Sequence, residues 1–145
     1  MSFDLKISDG DISIGSDGDF EKIERTEKLI QDIVKMLITP LGSNQFYRWY
    51  GSPLSKSMIG NVFSFEFLSS VASNQISNSL DTLQRLQQEQ AKRQKVTPFE
   101  HMAAIKNVRT ERNQVDPRHF VVAVSILTRA LTEATTYINI SPTTL

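Results

Sequence analysis

The residues whose types could do chemistry are two histidines, His101 and His119, and a Ser-Asp-Gly-Asp tetrapeptide at 8–11 and again at 16–19. The carboxylates of the repeat suggest calcium. A calcium loop, however, needs further oxygen ligands at fixed spacing and a closing Glu, and neither copy is followed by them. The repeat is read as turn chemistry, with Asp19 as the N-cap of a helix. The histidines stand far apart in the chain, and no nucleophile-elbow pattern or glycine-rich phosphate loop accompanies them. Glycoside hydrolysis needs two carboxylates flanking a sugar cleft. The acidic residues here fall in turns and on polar helix faces, none of them inside an apolar stripe that would raise its pKa. The absence of cysteine excludes disulfides, thiol catalysis and Cys-based zinc sites. No catalytic, cofactor or metal residue is assigned, and the expectation is a protein that is not an enzyme.

Sixteen Lys+Arg balance sixteen Asp+Glu, so no global field favours nucleic acid or an anionic membrane. The opening MSFDLKIS is strand-like rather than a signal peptide, and no apolar run approaches the roughly 18 residues of a membrane helix. These features point to a soluble intracellular product or a component of a larger particle. The 145 residues suit one domain over 1–145, and zero net charge, unhelpful for a freely soluble monomer, favours life in an assembly.

The elements follow from hydrophobic period. Phe3, Leu5 and Ile7, then Ile12 and Ile14, alternate with polar residues on either side of Asp9-Gly10. That dipeptide suits a type I′ turn, and the pattern predicts a hairpin over 3–15 with Ile7 opposite Ile12 and Leu5 opposite Ile14. A first helix is predicted over Phe20–Ile38, with Ile23, Ile30, Ile33, Val34 and Leu37 as its apolar stripe. Glu21 with Arg25 and Glu24 with Lys28 would pair along its polar face. Thr39-Pro40 and Gly42 end it.

An aromatic loop follows, in which Phe46, Tyr47, Trp49 and Tyr50 place four of the chain's twelve aromatic residues in five positions. Such a loop either caps its own core or serves in part as a docking surface. Residues 55–66 fit a loop or a short strand. From about Phe67 to Lys95 the pattern is helical, with a narrow stripe of Ile76, Leu80, Leu83 and Leu86 or Gln87 that would cover little core and suit either a partner helix or a frayed surface helix. Arg85, Lys92, Arg93 and Lys95 make its end basic, as suits a helix C-terminus.

Thr97-Pro98-Phe99-Glu100 has the pattern of a capping box and predicts a short helix carrying Met102, Ile105 and Val108. A polar stretch over 109–118 separates it from two strands, 119–127, whose β-branched residues favour a buried strand although its periodicity alone also allows a helix, and 133–140. The fold class expected is α+β: a small antiparallel sheet, from the N-terminal hairpin and the C-terminal strands, packed with about three helices.

An amphipathic helix running into Leu37-x-Thr39-Pro40-x-Gly42, followed by Tyr50-Gly51-Ser52-x-Leu54, resembles the small baseplate wedge subunit of contractile phage tails. That family, also called the sheath initiator, has a counterpart in the type VI secretion baseplate, and its members have long carried a lysozyme label. Its helix and Thr-x-x-Gly turn are followed by an aromatic-Gly element, a helix, a short Glu-Pro-Arg motif and two or more strands. Asp116-Pro117-Arg118 stands at the matching place, with Asp one methylene shorter than the family's Glu. Glu111-Arg112, just upstream, is a second candidate and lacks the Pro. Gly42-Ser43-Asn44 replaces the family's Gly-Glu-Arg, and the Gln-rich segment around 84–95 looks like an insertion.

The resemblance implies a non-enzymatic virion component of the tail baseplate, made in the host cytoplasm and needing no cofactor. Its partners would be the core bundle of larger wedge subunits, with Asp116, Pro117 and Arg118 as interface candidates, and the tail sheath protein. The sheath's extended arms would pair with a sheet edge, at Thr135, Thr136, Tyr137 and Asn139. Tube or hub proteins are further candidates for contact; nucleic acid and membrane are not. Thr39, Pro40, Gly42, Tyr50, Gly51 and Leu54 would form a structural turn, with Gly51 in a conformation whose loss costs roughly 1 kcal/mol or more. The residues alone also allow a small soluble adaptor or regulatory module that binds through the aromatic loop and the Leu/Gln helix.

Overall fold

In the structure, a computed structural model, residues 2–54, 56, 64–116 and 118–140 are described. The Asp9-Gly10 turn forms as its residue types dictate, with φ of 52° and 84°, the positive pair of a type I′ turn. It joins β2 (Ile7–Ser8) to β3 (Asp11–Ile12), with Ile7 opposite Ile12. The predicted hairpin goes no further, because the chain changes partner at Lys6. The Lys6 N–H donates to the Glu21 carbonyl, and the Lys6 carbonyl accepts the Ser13 N–H, each at 2.9 Å. Consequently β1 (Phe3–Leu5) pairs with β4 (Lys22–Glu24), which sets Leu5 opposite Lys22 rather than Ile14.

The second Ser-Asp-Gly-Asp copy causes this exchange. It is also a tight turn, with the Gly15 N–H on the Asp19 carbonyl at 2.8 Å and Gly18 at φ 85°. It folds residues 20–24 back as a strand, so Asp19 caps no helix. The first helix, α1 (Arg25–Ile38), starts at Arg25 instead of Phe20. The helical charge pairs predicted from Glu21 and Glu24 give way to Lys6–Glu21 at 3.1 Å and Lys28–Asp32 at 2.9 Å.

α1 buries Leu29, Ile33, Met36 and Leu37, while Ile30 and Val34 lie half-buried on its flank. Most of 55–63 lies outside the described residues. The second helix, α2 (Phe65–Arg93), begins where the Ser64 side chain accepts the Phe67 N–H at 3.4 Å. Its apolar stripe is not thin. Leu68, Ala72, Ile76, Leu80 and Leu83 are all buried and form the middle of the core, against elements of the same chain rather than a partner helix.

The glutamines beyond that stripe are structural too. Gln87 Nε2 donates to the Glu100 carbonyl and Gln87 Oε1 accepts the Met102 N–H, both at 3.0 Å. Gln84 Nε2 donates to the Met102 and Ala103 carbonyls, each at 3.2 Å. Gln84 and Gln87 of the Gln-rich segment thus form a hydrogen-bonding rack for the start of the next strand.

That strand, β5 (Met102–Arg112), stands where a third helix is predicted. Half of the capping box forms: Glu100 Oε2 accepts the Thr97 N–H at 2.8 Å, and the Glu100 N–H reaches the Thr97 carbonyl at 3.0 Å. The chain then leaves after this one turn. β5 pairs with β6 (Phe120–Thr128), which pairs with β7 (Glu133–Ile140), in the antiparallel order β5-β6-β7. Register shifts at Met102/Ala104 and Ile105/Asn107 insert two bulges. Each bulge sets two residues against one, so Met102, Ile105 and Val108 step by three while their partners Thr128, Ile126 and Val124 step by two. A helical spacing is thus produced by a bulged strand.

β6 and β7 alternate cleanly. Phe120, Val122, Val124 and Ile126, with Ala134, Ile138 and Ile140, bury one face of the sheet under the helices, α1 over β7 and α2 over β5. The other face is open, as antiparallel sheets permit. The fold is α+β with a small antiparallel sheet. Among the described residues no helix is long and apolar enough to cross a membrane.

Candidate interaction surfaces

The turn residues singled out in the sequence converge between α1 and α2. Pro40 and Ser52 form an isolated parallel bridge, with the Ser52 N–H on the Thr39 carbonyl at 2.9 Å and the Leu41 N–H on the Ser52 carbonyl at 3.2 Å. Gly51, at φ 112°, donates its N–H to Met36 Sδ at 3.3 Å, and its carbonyl accepts the Ser79 hydroxyl of α2 at 3.4 Å. Leu54 is buried and Tyr50 packs on the core; burial pushes the Tyr50 hydroxyl pKa up. Tyr47, Trp49 and Tyr50 form an edge-to-face ladder at 5.6 and 6.4 Å. The aromatic loop therefore has two faces, since Tyr50 caps the core while Phe46, Tyr47 and Trp49 are exposed.

The β5–β6 connection carries the acid–arginine pair. Arg118 Nε and Nη2 donate to the two carboxylate oxygens of Asp116 at 3.1 Å each, and the Arg118 N–H donates to Asp116 Oδ1 at 3.0 Å. These contacts hold the Asp116 carboxyl down at a pKa of about 2. His119 Nε2 lies 3.2 Å from the same carboxylate. Pro117 lies outside the described residues. The upstream candidate is built differently: Arg112 stacks over Phe65 and Phe120, 5.4 Å from each ring, tying the start of α2 to β6. Of the two, only Asp116–Arg118 sits at the tip of a connection, beside the fully exposed Val115.

β7 is an edge strand. The Thr128 N–H bonds the Thr132 carbonyl at 2.9 Å, which makes Thr128–Thr132 a hydrogen-bonded pair. Alternation from there puts the N–H and C=O of Glu133, Thr135, Tyr137 and Asn139 on the outer edge, where no described strand pairs with them. The β6–β7 register runs without a bulge. Thr135, Tyr137 and Asn139 show their side chains on the open face; Thr136 does not, being only 8% exposed beneath the helices. That placement corrects its assignment as a docking side chain.

The histidines are not brought together. His101 is buried, and desolvation, helped by the Arg129 charge, pushes its pKa down. Among the described residues no group of three or more His, Asp or Glu could hold a metal ion. Missed in the sequence were the glutamine rack, whose partners are backbone groups, and the exposed Leu131 of the β6–β7 turn.

No family model matches the chain, and no curated protein matches it. Among solved structures it is similar to a Geobacter sulfurreducens protein provisionally named a tail lysozyme, with a TM-score of 0.58 and 12% identity over 82% of this chain and 93% of that one. The two share a fold.

Proposed function

We propose that this chain is a structural subunit of a contractile-tail baseplate, a wedge component that initiates the sheath. The observation that carries the proposal is the outer edge of β7. A regular strand with a single charged residue, Glu133, lacks the bulges and charges that normally blunt an edge, whereas β5, the opposite edge, has two bulges. An extended sheath arm laid along β7 gains main-chain hydrogen bonds and meets Thr135, Tyr137 and Asn139. The fold shared with a protein provisionally named a tail lysozyme supports the same setting, a virion baseplate.

In this reading the chain is a structural part rather than a hydrolase, and the carboxylates support it. Every carboxylate with a displaced pKa (Asp4, Glu21, Glu89 and Asp116) is displaced downward, whereas a glycosidase acid needs one raised.

In this reading Arg118 faces a carboxylate or carbonyl on a larger wedge subunit, exchanging or sharing its bond to Asp116. Arg118→Ala is expected to leave the melting temperature of the isolated chain unchanged and to reduce its incorporation into wedges. Normal incorporation would remove this role. Size measurement of the chain alone, with sheath protein and with wedge subunits tests the whole proposal. Complexes with both are expected, and a chain that joins neither is an adaptor for something else.

A further inference from the structure

Three residues other than glycine have positive φ among those described: Asp9 at 52°, Arg25 at 55° and Leu131 at 62°. Asp tolerates the left-handed region, and Asp9 sits in a turn that demands it. Arg and Leu do not tolerate it well, and such strain tends to gather where a surface is used. Arg25 and Leu131 flank the same turn, at 98–101. The Arg25 guanidinium lies 5.8 Å from the Phe99 ring centre. The loop bearing Leu131 donates two N–H groups to that turn, Ala130 to the Pro98 carbonyl at 3.2 Å and Arg129 to the His101 carbonyl at 2.9 Å.

The loop explains the strain only in part. A three-residue hairpin loop, 129–131 closed by Thr128 and Thr132, puts its third residue in the left-handed region, where Gly or Asn would sit easily. Leu is strained there and is 79% exposed, so it serves neither the turn nor the core. The tip is rigid: the Leu131 N–H donates to the Thr128 carbonyl at 3.0 Å, and the Thr128 and Thr132 hydroxyls are 2.7 Å apart. An exposed apolar side chain on a preorganised turn loses little freedom when a partner covers it, and arginines beside it are of the type that interface hot spots favour.

The charge around this anchor is predominantly of one sign. Arg25 and Arg129 are exposed beside it, and the end of α2 adds Arg93 and Lys95, which line an open cleft with Pro98. Of the nearby carboxylates, Glu89 is engaged by Lys92 and Glu133 by Lys106, each at 2.6 Å, and Glu100 is buried in its turn, while Glu24 and Glu27 flank Arg25 at the start of α1.

We propose that this end of the molecule, Leu131 and Phe99 ringed by Arg25, Arg93, Lys95 and Arg129, docks an acidic segment of another protein chain with apolar side chains interspersed. The surface lies away from the Arg118 contact proposed above and adjoins the start of the β7 edge at Glu133. The β5–β6 and β6–β7 connections leave β6 at opposite ends, so Arg118 and Leu131 can be occupied together.

The test uses the full chain and a fluorescein-labelled peptide of repeating Glu-Glu-Leu, with a Lys-Lys-Leu peptide, phosphatidylserine vesicles and a DNA duplex as alternatives. Salt-sensitive binding of the acidic peptide is expected, weakened about tenfold or more by Leu131→Asn and by Arg129→Glu. Asn tolerates the left-handed region, so Leu131→Asn should melt at the same temperature as the parent or a few degrees higher. The proposal is overturned by failure to bind the acidic peptide, by equal binding to Leu131→Asn, or by a lower melting temperature for that variant, which would make Leu131 a packing residue. Preference for vesicles or duplex overturns it in favour of lipid or nucleic acid.

Discussion

Gly51→Val is expected to lower the unfolding free energy by about 3 kcal/mol or more. At φ 112° the backbone there is one that side-chain-bearing residues rarely adopt, and a Cβ would stand 2.5 Å from the Thr39 carbonyl oxygen and 3.1 Å from the Pro40 carbonyl carbon and oxygen. All three are backbone atoms that cannot swing aside. Relief would require moving residue 51 away from α1, which breaks the Ser52–Thr39 bond and the links to Met36 and Ser79. Those links join the end of α1 to the middle of α2, so the loss spreads to the buried Leu54. Gly42 provides the control. Its φ is 83°, but a Cβ there meets nothing within 4 Å, so Gly42→Ala should lose only the conformational part, about 1 kcal/mol. Urea unfolding separates the two; an unshifted midpoint for Gly51→Val would show that the close approach does not matter.

Gln87→Leu should cost roughly 3 kcal/mol, although it puts an apolar residue into a buried position. Gln87 gives both its amide groups to backbone, the Glu100 carbonyl and the Met102 N–H, and is only 4% exposed. Leucine fills similar space but leaves a donor and an acceptor unpaired away from water, at about 1–3 kcal/mol each. Gln84→Ala should cost less than about 1 kcal/mol, because its partner carbonyls lie nearer solvent. Thermal unfolding of the two variants checks the order, and Gln87→Leu as stable as the parent would remove the rack from the account.

These two residues show how differently parts of the fold could be read in advance. Gly51 was legible because a short local pattern, Thr39-Pro40 and then Tyr50-Gly51-Ser52, brings backbone to backbone. β6 and β7 were legible because their alternation is unbroken. β5 was not: its two bulges stretch the apolar spacing to that of a helix, and only the neighbouring strand reveals why. Gln87 is placed by its spacing at the end of the α2 stripe, as the alternative to Leu86, and it is buried there; its role was not legible, because its backbone partners lie on a strand whose spacing reads as a helix. The helix start at Asp19 failed because two chemistries compete for one tetrapeptide, and the turn prevailed. Of the candidate site, Arg118 and the β7 edge could be placed from order and composition, whereas the burial of Thr136 needed the helices above it.

Residue-resolved amide exchange along 133–140, with and without sheath protein, tests the proposed docking edge most directly. In the isolated chain the N–H groups of Thr135, Tyr137 and Asn139 should exchange fast, while those of Ala134, Thr136, Ile138 and Ile140, bonded to β6, stay protected. Tyr137→Pro removes an outward N–H without breaking a β6–β7 bond, so it should impair sheath docking more than wedge incorporation. On adding sheath protein to the parent chain, the fast set alone should slow. Unchanged exchange at Thr135, Tyr137 and Asn139 in the presence of sheath would contradict the assignment of β7 as the docking edge.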